Sequence, residues 1–216
     1  MVKTSTAMDI PNEKSAVRAE PARRTLDILV AFTALTLLAP VLATLALLVW
    51  SEDRGPVFFQ QERVGRGGRR FAFYKFRSMV PHAEALKASL SQQNEATGPI
   101  FKMKDDPRVT RIGRVLRRYS LDELPQLWNV LKGDMSLVGP RPHLPRELEQ
   151  CPNYPQERLS VPPGLICLRE VSGRSKLTFD EWIALDLEYV RNRSLLLDLS
   201  ILLRAIPAIL RGDGAY

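Results

Sequence analysis

The chain has 216 residues, a formal charge of +7 from 31 lysines and arginines against 24 aspartates and glutamates, and a hydrophobic share of 45%. That is enough apolar material for one modest catalytic core, and the cation excess favours a phosphate, a nucleic acid or an anionic membrane as partner. Two cysteines, Cys151 and Cys167, without a CxxC pair, and two histidines, His82 and His143, argue against a disulfide framework and a zinc site; reduced thiols in a cytosolic setting are the simpler reading.

Residues 1–22 mix Lys3, Glu13, Lys14, Arg18 and Glu20 with Pro11 and Pro21 and show no apolar period, which predicts a flexible tail. From Ile28 to Trp50 there is no charged residue. As a helix this run would be roughly 35 Å long, enough to cross a bilayer. It begins well inside the chain and lacks a cleavage pattern after it, so it is expected to stay in the mature protein. Pro40 sits near its centre, Arg23 and Arg24 precede it, and Arg54, Arg63, Arg66, Arg69 and Arg70 follow it. The positive-inside rule therefore draws both flanks to the cytoplasmic face, which a helix broken at Pro40 and returning would satisfy. A kinked spanning helix stays open on the same pattern.

Val57 to Val64 and Phe71 to Arg77 read as two strands of a hairpin joined by Gly65, Arg66, Gly67 and Gly68, a turn without P-loop spacing. A polar helix is expected over 82–94 and a basic one over about 108–118, carrying Arg108, Arg111, Arg114, Arg117 and Arg118. Pro125 and Gly133 bound the next helix, and Gly139, Pro140, Arg141 and Pro142 then impose a stiff extended loop. Pro162, Pro163 and Gly164 form a further turn. Phe179 to Asn192 and Leu195 to Leu210 read as two final helices, the second apolar enough for a membrane surface or for the core. His82 and His143 lie alone in polar stretches and are expected to be solvated.

Chemistry concentrates at Ser120, Leu121, Asp122 and Glu123. Ser-x-x-Glu is a capping-box pattern, and on that reading both side chains merely satisfy helix amides. Pro125 prefers the first helical turn, however, and a helix beginning there leaves Asp122 and Glu123 free to face a cleft. Near a helix N-terminus and Arg117, Asp122 is expected to be ionised, able to attack phosphorus or to share a hard cation such as Mg²⁺ with Glu123 and substrate phosphates. Lys75, Arg77, Arg117 and Arg141 are candidate phosphate clamps in separate segments. For Lys75 and Arg77 the exposed face of a hairpin is an equal alternative, whereas Arg141 between two prolines is held too stiffly for surface decoration.

The stretches GPVFFQQERVG at 55–65, YKFRSM at 74–79 and SLDELPQLWNVLKGDMSLVGPRP at 120–142 resemble the bacterial sugar transferases, monotopic phosphoglycosyl transferases that load a lipid carrier. The likeness covers about residues 22–216. It implies an α+β fold, mostly α-helical, with a re-entrant membrane helix over 23–51 broken at Pro40, a small β-hairpin, interfacial amphipathic helices and a catalytic domain over 52–216, the small catalytic-domain-only form. It implies transfer of a sugar 1-phosphate, a hexose 1-phosphate by the chain's ending, from a UDP-sugar to polyprenyl (undecaprenyl) phosphate, with release of UMP and initiation of exopolysaccharide or related glycan synthesis. Asp122 matches the family's nucleophile and Glu123 its dyad partner, with Mg²⁺ assisting. Arg117 and Arg141 match phosphate-contacting positions. The bacterial inner membrane, with the site facing the cytoplasm, is the implied location; membrane lipids are partners, and a homodimer stays open. Two departures stand out. Ala39 replaces a serine common before the proline, and Cys167, Arg169 and Glu170 alter a stretch that usually reads closer to Gly-Leu-Thr-Gly-Leu-Trp-Gln. The rival reading is a catalytically silent membrane scaffold; a nucleic-acid-binding role fits the apolar run badly.

Overall fold

A computed structural model describes residues 13–173 and 177–211. The apolar run forms two helices, α1 (Glu13–Leu37) and α2 (Ala39–Asp53), bent by 64° at Leu38. α1 cannot continue through Pro40, whose ring would meet the Thr36 carbonyl and whose nitrogen has no proton to donate there. Pro40 instead lies in the first turn of α2, where a missing N–H is harmless. No single described helix is long and apolar enough to cross a membrane.

Both ends of the bent pair are fastened to the same body. At the base of α1, Arg23 donates to Asp198 at 2.8 Å, Arg24 donates to the Val130 and Leu131 carbonyls, and Asp27 accepts from the Leu137 amide at 2.9 Å. At the end of α2, Asp53 is gripped by Arg77, and Glu52 accepts from the Arg111 amide at 2.8 Å. Arg23 and Arg24, read from sequence as flanking membrane charges, are thus engaged internally. Within the segment read as a flexible tail, α1 begins at Glu13, and Glu20 is paired with Arg193. Tertiary ion pairs supply the order that the local pattern lacks. Residues 1–12 lie outside the described residues.

The expected hairpin is present as β1 (Phe58–Val64) and β2 (Arg70–Phe76), antiparallel, with Phe58 opposite Phe76 and Val64 opposite Arg70. Gly67 and Gly68 turn the chain at φ of +64° and +79°, a region open to glycine at little cost. The polar helix expected over 82–94 shrinks to a single turn, α3 (Ala83–Leu86), followed by a 3-10 stretch at Ala88–Gln93, because it has no apolar stripe to bury. The basic helix is α4 (Arg111–Arg118), which begins after Thr110 because that hydroxyl accepts from the Gly113 amide at 3.0 Å.

Pro125 precedes α5 (Gln126–Lys132), and Gly133 ends it at φ +87°. β3 (Ser136–Val138) pairs in parallel with β4 (Gly164–Ile166), and α6 (Pro145–Glu149) lies between them in sequence. α7 (Leu168–Val171), α8 (Phe179–Asn192) and α9 (Leu195–Arg211) complete the chain. The main core joins Phe71 and Phe73 of β2, Leu127 and Val130 of α5, Leu137 of β3, Tyr189 of α8 and Ile201 of α9. Each such apolar side chain contributes roughly 1.5–3 kcal/mol by leaving water. Asn129, fully buried in α5, donates to the Ala72 carbonyl at 2.6 Å and accepts from the Tyr74 amide, fixing the free edge of β2. On the outside, Leu29, Phe32 and Leu37 of α1 and Leu196, Leu199, Leu203, Ile206 and Leu210 of α9 remain exposed, the latter at helical spacing on one face.

Candidate active site

Lys75 reaches the site from β2, whose backbone Asn129 holds; Asp122 and Glu123 reach it from a 3-10 turn, Leu121–Glu123, between α4 and α5. Ser120 takes a left-handed conformation, φ +54°, and its side chain makes no cap hydrogen bond. The capping-box reading therefore does not hold: with Pro125 starting the helix, the two carboxylates stand outside it.

Lys75 Nζ is 2.7 Å from Glu123 Oε1 and 3.5 Å from Asp122 Oδ2. Arg141 holds Glu123 through both guanidinium nitrogens, at 2.7 and 3.2 Å, and its Nη1 also lies 3.6 Å from Glu170. Burial pushes the Glu123 carboxyl up, but the charges and hydrogen bonds of Arg141 and Lys75 outweigh it and hold the pKa well below the carboxylate range. For Arg141, burial works against the cation, and Glu123 more than restores it. Glu170 goes the other way: burial, then the negative charge of Glu123, raises it in spite of Arg141 and Arg169.

Arg117 donates from Nε to the Ser78 hydroxyl at 2.9 Å. Burial lowers its pKa, and Asp122 is the carboxylate that most opposes this, so the guanidinium lies within the field of Asp122 without an ion pair to it. Arg77 is placed elsewhere: both its terminal nitrogens bind Asp53 at the end of α2, and among the described residues no hydrogen bond or ion pair links it to Asp122 or Glu123. Its pattern on an alternating strand could not distinguish a phosphate clamp from an anchor for a helix some twenty residues away. The structure thus brings Lys75, Asp122, Glu123 and Arg141 together, leaves Arg117 bonded to Ser78 at the end of the helix that leads to Asp122, and gives Arg77 and Pro40 architectural positions.

The loop carrying Arg141 is pinned from behind. Arg158 donates to the Arg141 carbonyl, Arg63 to the Pro142 carbonyl at 3.0 Å, and the Val64 amide to the His143 carbonyl at 2.9 Å. Arg158 is itself fixed by Asp186 at 2.7 and 2.8 Å and by the Tyr154 hydroxyl. His143, expected to be solvated, is buried among Tyr154, Phe179 and Trp182. Burial, with Arg158 and Arg63 adding repulsion, pushes its pKa well below the usual imidazole value, so it is neutral at pH 7. Its neighbours, not its own segment, remove it from water. His82 is exposed, as expected.

A family model described as bacterial sugar transferase matches residues 18–212. The chain belongs to the bacterial sugar transferases. It is 46% identical over 195 residues to the galactosyl transferase CpsE of Streptococcus agalactiae serotype III, a match covering 90% of this chain and 43% of that protein. It is 39% identical over 218 residues to the exopolysaccharide production protein ExoY of Sinorhizobium fredii, covering 98% of this chain and 96% of the relative. A third relative, the UDP-glucose:undecaprenyl-phosphate glucose-1-phosphate transferase of Caulobacter vibrioides, is 39% identical over 203 residues, covering 90% of this chain and 72% of its own length. The chain therefore spans less than half of the first relative and nearly all of the second.

In this sugar transferase, sequence reasoning missed Arg158, Asp186, Arg63 and Ser78, which hold the recognised residues in place. Arg63 and Ser78 lie inside the quoted stretches 55–65 and 74–79, but the contacts by which they and Arg158 hold the site reach 17 or more residues along the chain. Among the described residues, no three His, Cys, Asp or Glu side chains converge as a ready-made metal site. Both Glu123 oxygens are bonded by Arg141, which leaves Asp122 as the less encumbered carboxylate. Such a donor set fits Mg²⁺ that takes most of its ligands from a diphosphate and water.

Proposed function

We propose that this chain transfers a hexose 1-phosphate from a UDP-sugar to undecaprenyl phosphate, releasing UMP, as the opening step of exopolysaccharide or related surface-glycan synthesis. The observation that carries the reading is Asp122, a buried carboxylate with Lys75 at 3.5 Å and Arg141 one residue away on Glu123. A carboxylate in that position has cations ready for the phosphoryl oxygens it attacks.

An Asp122 oxygen attacks the β-phosphorus of the donor. The bond from that phosphorus to the bridging oxygen breaks, and UMP leaves with the electron pair. The resulting phosphosugar ester on Asp122 is then attacked by an oxygen of polyprenyl phosphate, which forms the lipid diphosphate sugar and returns the carboxylate. Glu123, kept ionised, holds Lys75 and Arg141 at the place where the equatorial oxygens arrive. Mg²⁺ carried on the diphosphate, and held through Asp122 with Glu123 nearby, would neutralise charge on the departing UMP.

The membrane reading rests on the fastening of both ends of the bent α1–α2 pair to one body, with apolar residues exposed between them. On this reading the pair dips into the cytoplasmic leaflet, the α9 stripe lies on its surface, and the site would face the cytoplasm at the inner membrane. The scaffold reading, in which Asp122 and Glu123 simply cap a helix, is disfavoured by a Ser120 that makes no cap bond.

The test is UMP release and lipid-linked sugar formation by purified protein given Mg²⁺, undecaprenyl phosphate and a panel of UDP-sugars. Product from at least one hexose donor, abolished in Asp122→Asn, is expected. Undiminished turnover in Asp122→Asn would defeat the proposal.

A further inference from the structure

Arg117, bonded to Ser78, also lines a cavity of about 190 Å³ whose apolar walls are Met103, Pro107 and Val109, with Lys104 and Arg114 among its polar boundaries. The cavity wall is a fixed structure. The Asp106 carboxylate accepts from Arg108 at 2.6 and 2.9 Å, the Val80 amide bonds the Arg108 carbonyl at 2.8 Å, and the Thr110 amide bonds the Ser78 carbonyl at 3.1 Å. The Ser78 hydroxyl also receives Arg117, so one residue ties the wall to the guanidinium. With Asp106 matched by Arg108, the lining keeps Lys104, Arg114 and Arg117 against Asp105 alone.

We propose that this cavity seats the nucleoside half of the nucleotide-sugar donor, with Arg117 and Arg114 on the α-phosphate that departs as the nucleoside monophosphate. The inference rests on the transfer reading given above. Pockets that take a whole drug-sized ligand run to roughly 300–1,000 Å³, so this smaller one suits part of a donor. Its apolar walls suit a flat ring better than a sugar, whose hydroxyls need polar partners. Those partners, the Glu170 carboxylate above all, gather instead around Arg141. Arg117 borders the cavity and ends the helix that runs into the Asp122 turn, so it would meet the α-phosphate when the β-phosphorus reaches the carboxylate. Three residues before it on α4, Arg114 offers a second, exposed guanidinium to the same anion.

Val109→Trp fills the cavity and Arg114→Ala removes an exposed cation without touching the core. Binding of 5′-UMP and of uridine is measured by equilibrium dialysis on Asp122→Asn protein carrying each change, which needs no turnover. In otherwise wild-type protein, the KM for UDP-glucose and UDP-galactose is measured beside transfer from the isolated phosphosugar enzyme to undecaprenyl phosphate, a step without nucleotide. Val109→Trp is expected to weaken 5′-UMP and uridine alike and to raise KM about tenfold or more for both donors equally. Arg114→Ala should weaken 5′-UMP but not uridine. The second half-reaction should keep its rate in Val109→Trp, which also shows that this variant folds; unchanged uridine binding shows the same for Arg114→Ala. Unchanged 5′-UMP binding in both variants, or a KM effect confined to one sugar, would overturn the assignment. If the wild-type protein forms no phosphosugar adduct at all, it is the transfer reading that fails.

Discussion

Arg141 stands between two carboxylates, bonded to both oxygens of Glu123 at 2.7 and 3.2 Å and 3.6 Å from Glu170. The two acids are unequal partners. Glu123, with Lys75 as a second cation, is held ionised, whereas burial and the charge of Glu123 raise Glu170.

That inequality sets a pH signature. A carboxyl whose folded-state pKa is raised favours folding at pH below its unfolded value, and the contribution is lost as pH climbs through the folded value. Glu170→Gln, which keeps an acceptor for the Cys167 amide, is therefore expected to raise Tm at pH 7–8 and to change it little near pH 4. A gain of about 2–4 °C corresponds to ~1 kcal/mol in a chain of this size. Thermal unfolding at the two pH values checks it. Glu123 has the opposite sign: its depressed pKa stabilises above the ordinary carboxylate range, and this contribution disappears only in stronger acid.

Lys75 is the cation shared by the two adjacent carboxylates. Lys75→Ala should lower kcat/KM by about 10²- to 10³-fold, the scale of removing one preorganised charge from a transition state. Lys75→Arg should recover part of it. Steady-state kinetics with one UDP-sugar decides, and parity between Lys75→Ala and wild type would remove Lys75 from the mechanism.

Arg158 holds the Arg141 carbonyl while buried against Asp186. Arg158→Met alone strands a buried carboxylate and should cost roughly 3–5 kcal/mol. The pair Arg158→Met with Asp186→Leu should regain most of that stability, because an apolar pair of similar volume replaces the ions. Its kcat/KM should remain low, by about 10²-fold, since the Arg141 loop has lost its anchor. Denaturant melts beside kinetics separate the two effects; full activity in the double variant would show that the anchor is purely structural.

Pro40 opens α2 just beyond the 64° bend. With Cys151→Ser as background, cysteines placed at Ala22 and Arg54 should both react with an impermeant thiol reagent from the cytoplasmic side of inverted vesicles only. Pro40→Leu restores an amide that can join a continuous helix and should move part of the population to labelling on opposite sides. Opposite-side labelling in the Pro40 protein itself would contradict the re-entrant pair.

Much of this arrangement was legible before the structure. Strand alternation and the glycine turn gave the hairpin, and Pro125 and Gly133 gave the limits of α5. The joint behaviour of Asp122 and Glu123 was ambiguous, because Ser-x-x-Glu is locally the same string whether it caps a helix or faces a cleft. The left-handed Ser120 decides between them, and that conformation depends on the turn it closes. Arg77 and His143 were misjudged for a shared reason. Asp53, and the cluster of Tyr154, Phe179 and Trp182, are contacts made by the fold, and nothing in the neighbouring residues announces them. The departures at Cys167, Arg169 and Glu170 were visible as changes, but only the geometry puts Glu170 at Arg141 and Arg169 over Trp182.

The central claim is that Asp122 carries the phosphosugar. Intact-protein mass spectrometry after incubation with Mg²⁺ and a panel of UDP-sugars, without lipid acceptor, measures it directly beside Asp122→Asn. The account predicts a mass gain of one sugar phosphate with at least one hexose donor, absent in the variant and discharged by undecaprenyl phosphate. Lipid-linked product formed with no adduct at any time, or an adduct retained in Asp122→Asn, would contradict it.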